Sequence, residues 1–177
     1  PMVLTARLLK KRVGRDVKVA FIGPCAAKKL EASRRTIRSD VDFVLTFEEL
    51  MGMFEAREVD FEALEAAEGD EFDKASADGR GFAVTGGVAQ AVVNAIHELD
   101  PAREVKVASA QGLAECKKLL MMARAGKYNG YLLEGMGCPG GCMGGAGTLA
   151  DPAKAAAALT RYKAEAPMQR SNESPYE

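Results

Sequence analysis

The 177-residue sequence has no tryptophan, one histidine, four cysteines and almost no net charge. The lack of tryptophan excludes nothing, but the other scarcities narrow the chemistry. No apolar stretch approaches the roughly 18 residues that a membrane-crossing helix needs, and no signal peptide is visible, so neither a span nor a secretory leader is expected. A net charge of −1 and a pI near 6.0 remove any general attraction for nucleic acid or anionic membrane. Four cysteines without a secretory signal suit ligand thiols in a reducing cytoplasm better than a disulfide framework. The single imidazole, His97, falls near the end of an apolar helix, where a surface or capping role is expected. The length is enough to bury a core as one domain or one large lobe.

What the sequence does have is a glycine-packed double-cysteine loop, Glu134-Gly135-Met136-Gly137-Cys138-Pro139-Gly140-Gly141-Cys142-Met143-Gly144-Gly145. Seven glycines between Gly135 and Gly147 would let the backbone fold tightly around a bulky inorganic ligand, and thiolates bind soft iron. A second feature lies more than a hundred residues upstream, at Phe21-Ile22-Gly23-Pro24-Cys25-Ala26-Ala27-Lys28-Lys29-Leu30-Glu31. There the apolar run Val17–Ile22 reads as a buried strand ended by Gly23-Pro24. Cys25 would then sit at a strand's carboxyl end, where open α/β sheets place ligands. Lys28 and Lys29 supply positive charge beside that thiol.

These residues resemble a known family. Gly23-Pro24-Cys25-Ala26-Ala27-Lys28-Lys29-Leu30-Glu31 resembles the second signature of iron-only ([FeFe]) hydrogenases, Pro-Cys-x-x-Lys-Lys-x-Glu. Glu134 to Gly145 resembles the third, Glu-x-Met-x-Cys-Pro-Gly-Gly-Cys-x-x-Gly, and Thr85-Gly86-Gly87-Val88-Ala89-Gln90-Ala91 resembles a recurring stretch between them. The likeness runs from about Pro1 to about Thr148. It implies a [4Fe–4S] cubane joined through one cysteine to a two-iron subsite carrying CO, CN⁻ and a dithiolate bridge, with the reaction 2H⁺ + 2e⁻ ⇌ H₂. By motif match, Cys25, Cys138 and Cys142 would ligate the cubane, and Cys142 would be shared with the two-iron subsite. Lys28 would hydrogen-bond a cyanide, Glu31 would orient or neutralise Lys28, and Met136 would pack against the subsite.

Two departures qualify what the resemblance implies. The family's first signature, Thr-Ser-Cys-Cys-Pro, with the fourth cubane ligand and a proton-relaying cysteine, does not occur in the sequence. The expectation is therefore a C-terminal portion of a longer hydrogenase, inactive alone. Its partners would be the missing N-terminal part of the same protein, a ferredoxin or fused iron–sulfur domain for electrons, and maturation proteins, with no nucleic acid and no membrane. The second departure is Gly23, where many catalytic members carry methionine. That change enlarges the pocket and makes altered tuning or a sensory role plausible. Two alternatives stay open: a sensory hydrogenase-like signalling module, and a non-catalytic iron–sulfur assembly protein of the prelamin-recognition-factor type.

The coarse pattern alternates elements and predicts an α/β fold, a mainly parallel sheet flanked by helices, over residues 1–165, with 166–177 a frayed tail. Helices are expected at Met2–Arg12, from Lys28, after the Thr46-Phe47-Glu48-Glu49 capping box with Leu50, Met53 and Phe54 as an apolar face, and at Gly87–Leu99, Leu113–Ala125 and Pro152–Lys163. Strands are expected at Val17–Ile22, Asp42–Leu45, Glu104–Ala108 and Tyr128–Leu133, and an exposed acidic loop at about Glu65 to Gly81. Gly135 to Gly140 formally satisfies a nucleotide-binding G-x-G-x-x-G, but Pro139 removes an amide that could bind phosphate. Zinc on Cys25, Cys138 and Cys142 with Cys116 or His97 is disfavoured by the three-residue gap between the paired cysteines. Cys116 reads as helix packing. Arg34, near Cys25, could offset cluster charge, and Glu134 is either structural or part of a proton route.

Overall fold

The computed structural model describes residues 1–34, 40–65 and 74–175. They form two compact units, Pro1–Leu64 with Gly145–Leu149, and Glu65–Gly144 with Ala150–Glu177. Both are α/β units built on a parallel pair of strands, so the expected parallel sheet is divided into two separate two-stranded ladders among the described residues.

In the first unit, helix α1 (Met2–Val13) turns Met2, Val3 and Ala6 inward, at the spacing of one helical face. They pack with Val41, and Val19, Phe21, Ala32 and Val44 close around them. Lys10, Lys11 and Arg12 in the last turn complement the negative end of the helix dipole. Strand β1 (Ala20–Ile22) pairs in parallel with β2 (Phe43–Leu45), Phe21 opposite Val44. The strand is shorter than the Val17–Ile22 run and is not buried throughout: Phe21 faces the core while Ile22 is 46% exposed. Alternate residues point to opposite faces of a strand, and only one face of this ladder carries the α1 core. Before β1, Val19 N–H donates to Asp42 at 2.8 Å, and Lys10 pairs with the same carboxylate at 2.8 Å. The Lys10 contact first, and the Val19 N–H second, hold the Asp42 carboxyl down at about 2.

Helix α2 (Ala27–Ser33) follows the Cys25 loop. Helix α3 (Phe47–Glu55) starts on Thr46, whose hydroxyl accepts from Glu49 N–H while the Glu49 carboxylate accepts from Thr46 N–H, the full capping box. Of the expected apolar face of α3, Leu50 and Phe54 are half-buried and Met53 is exposed. Phe54 instead meets Phe61 edge to face, centroids 5.3 Å apart.

In the second unit, β3 (Lys106–Gln111) and β4 (Tyr131–Met136) pair over six residues, from Lys106 opposite Tyr131 to Gln111 opposite Met136. Helix α6 (Leu113–Arg124) makes the crossover between them, and helix α5 (Gly87–Leu99) packs on β4. Helix α7 (Pro152–Ala164) opens with Pro152 behind an Asp151 cap.

Two expectations are corrected here. Of the supposed acidic loop, residues 66–73 lie outside the described residues, but its end is a short buried helix, α4 (Ala77–Arg80). Its charges are buried because they are paired. Asn94 donates to Asp78 at 2.6 Å. The Arg80 guanidinium donates to the Tyr162 carbonyl at 2.5 Å and lies 3.8 Å from the Tyr162 ring centroid. Nor is the described part of the 166–177 tail frayed: Ala166 is buried, and Ala77 and Asp78 N–H groups donate to the Met168 and Gln169 carbonyls at 2.8 and 3.2 Å.

Candidate metal centre

The double-cysteine loop begins where β4 ends. The strand runs through Met136, three residues beyond the expected Leu133, so Glu134 is a strand residue inside the ladder opposite Ser109. Past Gly137 the chain reverses between the two cysteines: Gly141 N–H donates to the Cys138 carbonyl at 3.1 Å, with φ +81° at Gly140. Proline at the second turn position and left-handed glycine at the third follow the type II pattern. A single 3₁₀ turn, Cys142–Gly144, follows. A phosphate-binding G-x-G-x-x-G needs a full helix at that point.

Two of the loop's glycines are demanded by the protein itself. A Cβ on Gly141 would stand 2.5 Å from the Ala83 carbonyl oxygen, and one on Gly144 would stand 2.3 Å from that of Pro139. Gly141 forms an antiparallel bridge with Val84, so the turn lies directly on the backbone that leads into α5. A side chain supports the same turn. Gln111, at the end of β3, accepts the Gly140 N–H on Oε1 at 2.6 Å, and its Oε1 also receives the Thr85 hydroxyl at 3.4 Å.

Glu134 is the residue whose role the sequence left undecided. It is 9% exposed, and its carboxylate accepts the backbone N–H groups of Gly86, Val88 and Ala89, the last two at 3.0 and 3.1 Å. It therefore caps the first turn of α5 from the neighbouring strand, satisfying donors that the helix itself cannot. No local cap signal could reveal this, because 48 residues separate Glu134 from Gly86.

In the first unit, Cys25 lies on the loop between β1 and α2 and is half-buried. Gly147, in the segment that returns to this unit, donates its N–H to the Pro24 carbonyl at 3.0 Å. A Cβ at Gly147 would sit 2.4 Å from that of Thr46. Lys28 is ion-paired with Glu31 three residues on, both part-buried. Lys29 donates to both Glu49 oxygens at 2.8 and 2.9 Å and to the Val44 carbonyl at 3.0 Å. The Lys29 hydrogen bond first, and the Thr46 N–H second, hold the Glu49 carboxyl pKa below its usual value. Gly23 does not leave a void: a Cβ there would meet the Phe21 ring at 3.0 Å. Arg34 is exposed and Arg35 lies outside the described residues.

The other candidates have structural partners. The Cys116 thiol donates to the Met136 carbonyl at 3.4 Å and approaches the Ala110 carbonyl at 3.6 Å. His97 Nε2 lies 3.1 Å from the Arg103 carbonyl. Met136 is half-buried, its carbonyl also receiving the Gly112 N–H at 2.8 Å.

Residues 1–146 match the family described as iron only hydrogenase large subunit, C-terminal domain. The chain belongs to that family. It is 32% identical over 164 residues to the periplasmic [Fe] hydrogenase large subunit of Nitratidesulfovibrio vulgaris, covering 75% of this chain and 39% of that one. It is 29% identical over 198 residues to the NADP-reducing hydrogenase subunit HndD of Solidesulfovibrio fructosivorans, covering 89% and 33%. The hydrogenase fold is shared with a variant of the [FeFe]-hydrogenase HydA1 from Chlamydomonas reinhardtii, at TM-score 0.68 and 24% identity, over 98% of this chain and 62% of that one. The [FeFe]-hydrogenase HydA(deltaEFG) gives the same TM-score and identity, over 98% and 61%. The chain thus spans well under half the length of these two curated relatives.

The family implies an iron–sulfur H-cluster, and the donors present suit one in kind. None of the four cysteines is in a disulfide, and Cys25, Cys138 and Cys142 are all half-buried rather than sealed in a core. Thiolates are the ligands that iron–sulfur clusters require. Among the described residues no three His, Cys, Asp or Glu side chains are gathered closely enough to hold a metal ion. No helix among them is long and apolar enough to cross a membrane.

Proposed function

We propose that this chain is part of an iron-only hydrogenase that interconverts two protons, two electrons and H₂ at a two-iron subsite joined to a [4Fe–4S] cubane. The observation that carries the reading is the turn at the end of β4, which keeps Cys138 and Cys142 half-buried on one tightly seated loop, in a chain of the hydrogenase family. When bound, such a cluster supplies the electron storage and the iron-centred hydrogen chemistry.

The chain's own residues bind and orient. Cys25, Cys138 and Cys142 would supply three thiolates to the cluster. Lys28 would offer an ammonium donor to a cyanide, a charge-assisted bond. Glu31, paired with Lys28, keeps that ammonium in place and lowers the cost of burying it. Met136 gives an apolar thioether contact beside the subsite. The fourth thiolate and the proton-relaying cysteine belong to the first signature, which these 177 residues do not contain, so this stretch alone is expected to be inactive. Electrons would come from a ferredoxin or a fused iron–sulfur domain, and the two-iron subsite from maturation proteins. The proposed location is a reducing, anaerobic cytoplasm, which cell fractionation tests.

The deciding experiment is anaerobic hydrogen uptake and evolution by the full-length protein matured with its two-iron subsite, with infrared spectra recorded alongside. Turnover with CO and CN⁻ bands is expected, and Lys28→Ala should weaken both. Slow turnover with intact bands would favour a sensory module. A cubane without bands or turnover, beside a control hydrogenase that matures normally, would favour an assembly protein.

A further inference from the structure

We propose that Gln111 is a positioning residue for the cluster, a side-chain clamp that holds the turn between Cys138 and Cys142 and keeps the Gly140 N–H away from the cluster sulfurs. This deepens the hydrogenase reading and rests on it.

The turn has two kinds of support. One is backbone on backbone, Gly141 bridged to Val84, and it survives any side-chain change. The other is the Gln111 carboxamide, whose Oε1 takes the Gly140 N–H at 2.6 Å. That oxygen is aimed by its surroundings. Gln111 is the last paired residue of β3, opposite Met136 in the strand that leads into the loop. The next amide, Gly112 N–H, is bonded to the Met136 carbonyl at 2.8 Å. The Thr85 hydroxyl donates to the same Oε1 at 3.4 Å. The residue is therefore seated on the ladder that delivers the cysteines, with its polar end on the turn's central amide.

The consequence concerns an amide between two sulfur ligands. Backbone N–H groups bonded to cluster sulfurs are among the factors that set a cluster's reduction potential. With Gln111 present, the Gly140 N–H is occupied by a carboxamide oxygen. With a truncated side chain the amide is released to solvent or to sulfur, and the turn between the two cysteines keeps only its backbone bridge to Val84. A glutamate at 111 restores an oxygen acceptor of similar reach.

The test uses the full-length protein, apo and loaded with iron and sulfide, as wild type, Gln111→Ala and Gln111→Glu. In the apo protein, hydrogen exchange at Gly140 should speed up about tenfold in Gln111→Ala and stay slow in Gln111→Glu, with the β3–β4 ladder amides unchanged in both. In the loaded protein, Gln111→Ala should lose its cubane to a chelator several-fold faster and show shifted g-values for the reduced cluster. Gln111→Glu should recover chelator resistance. A Gln111→Ala protein that matches wild type in Gly140 exchange, or that differs there yet matches in g-values and chelator release, overturns the proposal alone. A wild type that takes up no iron overturns the hydrogenase reading and the proposal with it.

Discussion

Replacing Glu134 separates a structural cap from an incidental buried acid. In the folded chain its carboxylate accepts three N–H groups of the first turn of α5, from Gly86, Val88 and Ala89, while the residue is 9% exposed. Glu134→Ala would leave those donors facing a void. Loss of a helix cap costs about 1 kcal/mol, and hydrogen bonds to a charged group are worth about 1.5–3 kcal/mol each. Because Oε1 is shared by Val88 and Ala89, the contributions do not add, and about 3 kcal/mol is expected in all. For a chain of this size that corresponds to a fall in Tm of roughly 6–12 °C. Glu134→Gln is the sharper variant. Its carbonyl oxygen can keep the Val88 and Ala89 bonds, but its NH₂ then faces the Gly86 N–H, donor against donor. The expected order of stability is wild type, then Gln, then Ala, with Gln about midway. Urea titration gives the global ordering, and hydrogen exchange at Val88 and Ala89 reads the cap directly. Exchange there that is unchanged in Glu134→Ala, or a Gln variant as stable as wild type, would refute the capping argument.

Other substitutions test different parts of the structure. Asp42, held at about 2 against a usual 3.8, has a folded-state pKa below its unfolded one, so its contribution to stability is present above about pH 4. It is lost as pH falls through about 2, and urea midpoints for Asp42→Asn should flatten over that acid window relative to wild type. Gly141→Ala would force a Cβ to within 2.5 Å of the Ala83 oxygen at φ +95°. A left-handed alanine plus overpacking should cost about 2–4 kcal/mol by urea titration and lower cluster uptake, and a neutral result would mean that the turn is not seated as described. Cys116→Ala should leave iron content unchanged, since its thiol is engaged with backbone carbonyls; lost iron would make it a ligand.

What could be read along the chain was whatever depends on near neighbours. Thr46 and Glu49 are three apart, so their capping box is a local signal, and it forms as expected. Helix α5 keeps the expected bounds Gly87–Leu99 because its apolar period and the glycines before it coincide. The two cysteine motifs were legible for the same reason, as fixed spacings of reactive residues. Asp78 and Arg80 were misread as solvated because charge normally stays in water, and only Asn94, Tyr162 and the packed C-terminal stretch make their burial tolerable.

The sequence by itself therefore determined the chemistry on offer: the thiols, the Lys28–Glu31 pair, the Pro139-Gly140 turn and the alternation of helices and strands. The tertiary structure decided what those residues are held by. It carried β4 on to Met136, aimed Glu134 at α5, set Gln111 on Gly140, and showed that Gly141 and Gly144 are required by neighbouring carbonyls. The physical reason is range. Turn and cap preferences are energies of a few adjacent residues, whereas a buried carboxylate finds its donors only after the strand beside it is paired.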